Sequence, residues 1–120
     1  MYKRQALVPF GRAEATAYAE LLVDHAHQRG LAAGQKNTPQ LSAEVSRGVI
    51  GFDFAVAEQC GAYDECFDYT AVFGDRVIDI EYTEAGFDAA CSAVGDDISV
   101  VRRNLAVSVP AADGYVFASC

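Results

Sequence analysis

The chain is short of cations: nine Lys and Arg stand against seventeen Asp and Glu, a formal charge of −8. Phosphate backbones are bound by clusters of Lys and Arg, so nucleic acid is excluded as the expected partner. No apolar run approaches the ~20 residues that cross a bilayer, and no membrane span is expected. The start carries no apolar h-region of a signal peptide. No Cys-x-x-Cys pair is present, which removes a thioredoxin-like redox motif. A Gly-rich phosphate loop is also missing, which counts against an autonomous small module of flavodoxin-like design; no cofactor is expected. Histidine is scarce: His25 and His27 lie two apart on one expected helix, do not share a face, and read as exposed bystanders with no metal to hold. Low-complexity tracts are absent as well, and with 52% hydrophobic residues the chain reads as an ordinary folded domain.

What is present is a rhythm. Arg12 to Arg29 is predicted helical, with Ala13, Ala17, Leu21 and Ala26 near helical spacing and Gly30 as a stop. The apolar run Leu31–Gly34 ends in Gln35-Lys36-Asn37, and Thr38-Pro39 opens a predicted short helix to about Arg47. A second run, Phe52–Ala57, ends in Glu58-Gln59-Cys60, before a predicted helix from Asp64 to Phe73 stopped by Gly74. The third run, Val77–Ile80, ends in Glu81-Tyr82, and Glu84–Val94 is the next helix, stopped by Gly95. The fourth, Ile98–Val101, ends in Arg102-Arg103-Asn104. Such alternation implies parallel strands joined by right-handed crossovers, and α/β folds bind ligands at the C-terminal strand edge, where all four polar endings gather. Four strands suit either a small open sheet of flavodoxin-like design or half of an eight-stranded barrel, and pattern alone leaves both open.

The strand ends carry a resemblance. Gly34-Gln35-Lys36-Asn37, Phe52-Asp53-Phe54-Ala55-Val56-Ala57-Glu58-Gln59-Cys60, Tyr63-Asp64-Glu65-Cys66 and Ile80-Glu81-Tyr82 resemble glycoside hydrolase family 114, over about residues 12 to 120 and including Gly114-Tyr115 and Cys120. The resemblance implies an α/β fold, a partial TIM-type (β/α)8 barrel made of strands five to eight with their helices. It implies secreted enzymes that hydrolyse α-1,4-linked galactosamine polymers, with a polysaccharide as partner. Glu58 matches the family's catalytic glutamate at the end of strand six. The partner aspartate belongs to the end of strand four, which by the family's spacing falls at or before the first residue, so the chain is expected to be a C-terminal half, inactive alone. Met1-Tyr2-Lys3-Arg4-Gln5 reads as an adapter-derived scar, leaving residues 6–120 as the domain.

Glycoside hydrolysis ordinarily needs two carboxyl groups, one protonating the leaving oxygen and one attacking or activating water; Glu58 is read as the nucleophile. Lys36 and Asn37 are expected to line the cleft. Glu81, Tyr82 and Arg103 are expected to contact the sugar, Glu81 by pairing with its ammonium or else with Lys36 or Arg103. Tyr63 and Tyr82 offer flat faces for stacking on pyranose rings. By count alone the four cysteines allow three pairings; the resemblance implies Cys60–Cys66 and Cys91–Cys120. Gln35, Ala57, Asn104 and Ala106 depart from the family pattern. The loss of a polar group at Ala57, beside the catalytic position, keeps alive an alternative: a non-catalytic member that binds amino-sugar polymer.

Overall fold

In the computed structural model, which describes residues 9–120, the chain runs α1 (Arg12–His27), β1 (Gly34–Lys36), a π-helix (Glu44–Ile50), β2 (Phe54–Glu58), α2 (Cys66–Phe73), β3 (Val77–Glu81), α3 (Glu84–Val94), β4 (Ser99–Arg103) and β5 (Phe117–Ser119). The expected five-residue scar lies outside the described residues. Strands β1 to β4 pair in parallel and in sequence order, and β5 adds antiparallel to β4.

Sequential order has a structural consequence. Every right-handed crossover steps the same way, so all the helices fall on one face of the sheet. A doubly wound sheet instead reverses direction at a switch point. No reversal occurs here, which removes the flavodoxin-like design. The fold is α/β, part of a TIM-type barrel.

Strand parity then divides the side chains. Ala55 and Ala57 of β2, Val77 of β3 and Val100 of β4 face the helices and are buried against Tyr69 and Phe73 of α2 and Ala90 and Val94 of α3. The alternate residues Phe54, Val56, Ile78, Ile80 and Val101 form the opposite, apolar face, which stays open enough that Ile78 is 42% exposed. In a closed barrel that face is the packed interior. At the N-terminal edge of the sheet, Asp53 accepts from the Ala33 N–H (2.7 Å) and from His27 Nε2 (2.8 Å), joining α1 to the start of β2. Those bonds hold the Asp53 carboxyl below its usual range, the Ala33 amide first and His27 second. His27 is therefore a tether, not the bystander expected.

Several boundaries differ from expectation. The first strand is Gly34–Lys36, starting three residues later than its apolar run, because the pairing Gln35↔Ala55 draws the polar residues into the sheet. No helix opens at Thr38-Pro39. Asn37 and Thr38 both take positive φ (53° and 67°), and Gln35 Nε2 donates to both their carbonyls, so the chain turns there. Helical turns begin only after Ser42, whose Oγ accepts from the Val45 N–H. They are π-type, closing with Gly51 N–H donating to Ser46 O. The predicted helix at Asp64 starts at Cys66, since Asp64 sits at φ 58° in the preceding loop. β5 was not expected at all: Phe117–Ser119 shows too short a pattern to stand out, and it exists because β4 offers an edge. The two disulfides are Cys60–Cys66 and Cys91–Cys120, as the resemblance implied. Among the described residues no helix is long and apolar enough to cross a membrane.

Candidate active site

Glu58 is the last residue of β2 and stands on the open face of the sheet. Both neighbouring strands reach it at their C-terminal ends. From β1, Lys36 Nζ lies 2.6 Å from Glu58 Oε2. From the turn after β1, Asn37 Nδ2 donates to the same oxygen at 3.1 Å, while Asn37 Oδ1 accepts from the Glu58 backbone N–H at 2.8 Å. From the end of β3, the Tyr82 hydroxyl donates to Glu58 Oε1 at 2.6 Å. The left-handed backbone at Asn37 is what turns its amide back onto Glu58; Asn tolerates that region far better than a branched residue.

The electrostatics follow from these three donors. Glu58 is drawn down to about 2, by Lys36 first, then Tyr82, then Asn37, against a smaller opposing effect of burial. Tyr82 is pushed up to about 12, by burial first and then by the carboxylate it serves. At neutral pH the site therefore holds an ionised carboxylate beside a phenol that keeps its proton. Oε2 accepts two bonds and Oε1 one, which leaves a lone pair on Oε1 for a reacting atom. With its side chain 35% exposed, Glu58 remains reachable from solvent. An ionised, reachable carboxylate is fitted to attack or to accept a proton, and not to donate one.

The other expected site residues divide. Lys36, Asn37 and Tyr82 converge on Glu58 as described. Tyr63 lies on the loop after Glu58, 64% exposed. Glu81 does not line the cleft: parity turns it to the helix side, where it is fully buried and its Oε1 accepts from the N–H groups of Gly61 (2.7 Å) and Ala62 (3.3 Å). It pairs with neither Lys36 nor Arg103. Arg103 is committed to the chain's own backbone, donating to Val116 O (3.2 Å) and Ser108 O (2.9 Å) with its guanidinium 5.4 Å from the Tyr115 ring. Ala57 also falls on the helix side, fully buried, so its departure from the family pattern changes the core and not the surroundings of Glu58. Asn104 braces a turn, its Nδ2 donating to Ser108 Oγ at 2.7 Å. Ala57 thus sits in the core and Asn104 in a turn, and neither is among the hydrogen-bond partners of Glu58.

Asp79 escaped notice in the sequence, although the alternation Val77-Ile78-Asp79-Ile80-Glu81 was signal enough to put it and Glu81 on one face with Val77. Among the described residues, Cys60, Cys66 and Asp79 cluster as a metal site would. Both sulfurs are tied in a disulfide, so the thiolates a metal needs are not available.

The model of glycoside-hydrolase family GH114 matches residues 1–120. No curated protein matches the chain. Among solved structures, the crystal structure of Aspergillus fumigatus Ega3 in complex with galactosamine is similar, at 22% identity and a TM-score of 0.70, over 94% of this chain and 47% of that one. This chain thus spans about half the length of that structure, and the likeness is one of fold.

Proposed function

The chain belongs to glycoside-hydrolase family GH114, and from that premise we propose that it forms strands five to eight of an endo-acting hydrolase of α-1,4-linked galactosamine polymers, with Glu58 as its nucleophilic carboxylate. The observation that carries this reading is the three-donor cradle that keeps Glu58 ionised at the C-terminal edge of the sheet. That edge is where barrel enzymes place their chemistry. A cationic amino sugar also suits a chain of net charge −8, and the galactosamine bound to the similar structure supports the same substrate class. Two disulfides support an extracytoplasmic setting.

Hydrolysis needs a second carboxyl, about 5–5.5 Å from the first in a retaining enzyme and about 6.5–9.5 Å in an inverting one. None of the residues converging on Glu58 is acidic. We assign the proton donor to strands that complete the barrel; the open face of Phe54, Val56, Ile78 and Ile80 supports such strands in the intact protein. The 120-residue chain alone should be inactive. In a protein carrying the whole barrel, Glu58→Gln should lower cleavage by at least ~10²-fold while polymer binding survives. Turnover near the parent rate would refute the role given to Glu58, and polymer cleavage by the 120-residue chain unaided would refute the need for further strands.

A further inference from the structure

Behind the cradle lies a second pair of carboxyls that the proposed reaction does not use. Asp79 and Glu81 are two apart on β3, share its helix-side face, and are both fully buried. Each gives one oxygen to the loop that follows Glu58: Asp79 Oδ1 accepts from the Cys60 N–H (3.2 Å), and Glu81 Oε1 accepts from Gly61 and Ala62. Each has a second oxygen, Asp79 Oδ2 and Glu81 Oε2, buried without a donor. Two ionised carboxylates here would leave both oxygens unsatisfied and set like charges side by side in the core, which is strongly unfavourable.

One proton resolves both problems. Placed between the two carboxyls, which lie within hydrogen-bond reach of each other, it makes one a donor and the other an acceptor, and removes one charge. On the α3 side the Gly86 backbone closes over Glu81 Oε2, so that even a methyl group added at Gly86 would collide with it. We propose that Asp79 and Glu81 share a single proton and act together as a positioning pair, gripping the Cys60–Ala62 backbone from behind and so fixing the direction in which the chain leaves Glu58. β3 then holds the site from two sides, since the next residue, Tyr82, holds the Glu58 carboxylate from the front.

The charged surroundings favour the shared proton. Asp79 is pushed up to about 7, by burial first, against the bond from Cys60, with the Glu81 charge adding to the rise. The other ionisable groups facing the pair are Tyr69 from α2, itself pushed up to about 12 by burial and acidic neighbours, and Arg102 from β4. Arg102 stands beside Glu81 in register; its Nη1 reaches out to Glu84 at 3.6 Å, while its Nε is buried without a hydrogen-bond partner. From α3 the neighbours are Gly86 and Ala90, which carry no charge.

Amide variants test the proton directly, because Asn or Gln supplies a permanent donor where the acid supplies a titrating one. Protection of the Cys60, Gly61 and Ala62 amides against hydrogen exchange is followed from pH 5 to 9, with side-chain carboxyl ¹³C shifts recorded alongside. In the parent chain, protection should fall at least tenfold as the pair loses its proton. Asp79→Asn and Glu81→Gln should each keep the loop protected across the range. The double variant should lose protection at every pH, since each amide, giving its oxygen to the loop, would point its NH2 at the other. Single amide variants as exposed as Glu81→Ala, or a double variant as protected as the singles, would overturn the shared proton. The positioning role rests on the reading of Glu58 as the reacting group; the exchange measurements do not, so the two fail separately. In the whole-barrel protein Asp79→Asn should extend the alkaline limb of kcat, and an unchanged pH profile beside the expected exchange behaviour would overturn positioning alone.

Discussion

Asn37→Asp isolates the cradle from everything else in the fold. The substitution is nearly isosteric, Asp accepts the left-handed backbone at φ 53° almost as readily as Asn, and the acceptor for the Glu58 N–H is retained. What changes is one group: the Nδ2 donor 3.1 Å from Glu58 Oε2 becomes an oxygen. A hydrogen bond to a charged group contributes about 1.5–3 kcal/mol. The new like-charge contact costs on the order of 1–4 kcal/mol, between the bulk-water and near-surface limits for charges a few ångströms apart. Lys36, 2.6 Å away, offsets part of this, and the side chain's 35% exposure screens more. A net effect of about 2 kcal/mol corresponds to roughly 1.5 pKa units. Glu58 should therefore titrate from about 2 in the parent towards the ordinary carboxylate range in the variant, followed through the Glu58 side-chain ¹³C resonance. In the whole-barrel protein the acid limb of activity should move up by a similar interval. A Glu58 midpoint unmoved by the substitution would show that the Asn37 amide does not hold the carboxylate ionised.

Two further outcomes follow from the same contacts. Glu58 lies below its usual 4.5, so its contribution to stability is present above that pH and is lost as pH falls towards 2. Asp79 lies above its usual 3.8, so its contribution is full below that value and is lost as pH rises towards 7, at about 1.4 kcal/mol per pH unit at the steepest. The melting temperature should accordingly peak near pH 4–5; a Tm that climbs steadily from pH 5 to 8 would contradict this, and Asp79→Asn should flatten the fall. Gly61→Ala should destabilise the chain by about 1–3 kcal/mol, because the added methyl meets the Gly86 carbonyl and lies 2.7 Å from Ala90 N, both backbone atoms that cannot swing aside. An unchanged Tm in that variant would mean the loop does not pack on α3 as described.

The sequence by itself determined the alternation of strands and helices, the four parallel strands, and the polar residues at their C-terminal ends, because short apolar runs and Gly-stopped helices leave a pattern along the chain. It also marked Glu58, Lys36, Asn37 and Tyr82, which proved to meet at one point. Side-chain direction was decided only by the tertiary structure. Glu81 and Tyr82 are adjacent in sequence, yet the pleat sends one into the core beneath the loop and the other to Glu58. The same parity removes Ala57 from the site and adds Asp79 behind it. The turn at Asn37-Thr38, the π-helix and β5 likewise escaped the pattern. Each exists through a partner distant in sequence: Glu58 for Asn37, Gln35 for Ser46, and the free edge of β4 for Phe117–Ser119. Local propensity reports what a segment prefers alone, whereas hydrogen bonds between segments far apart in the chain decide what it does when folded.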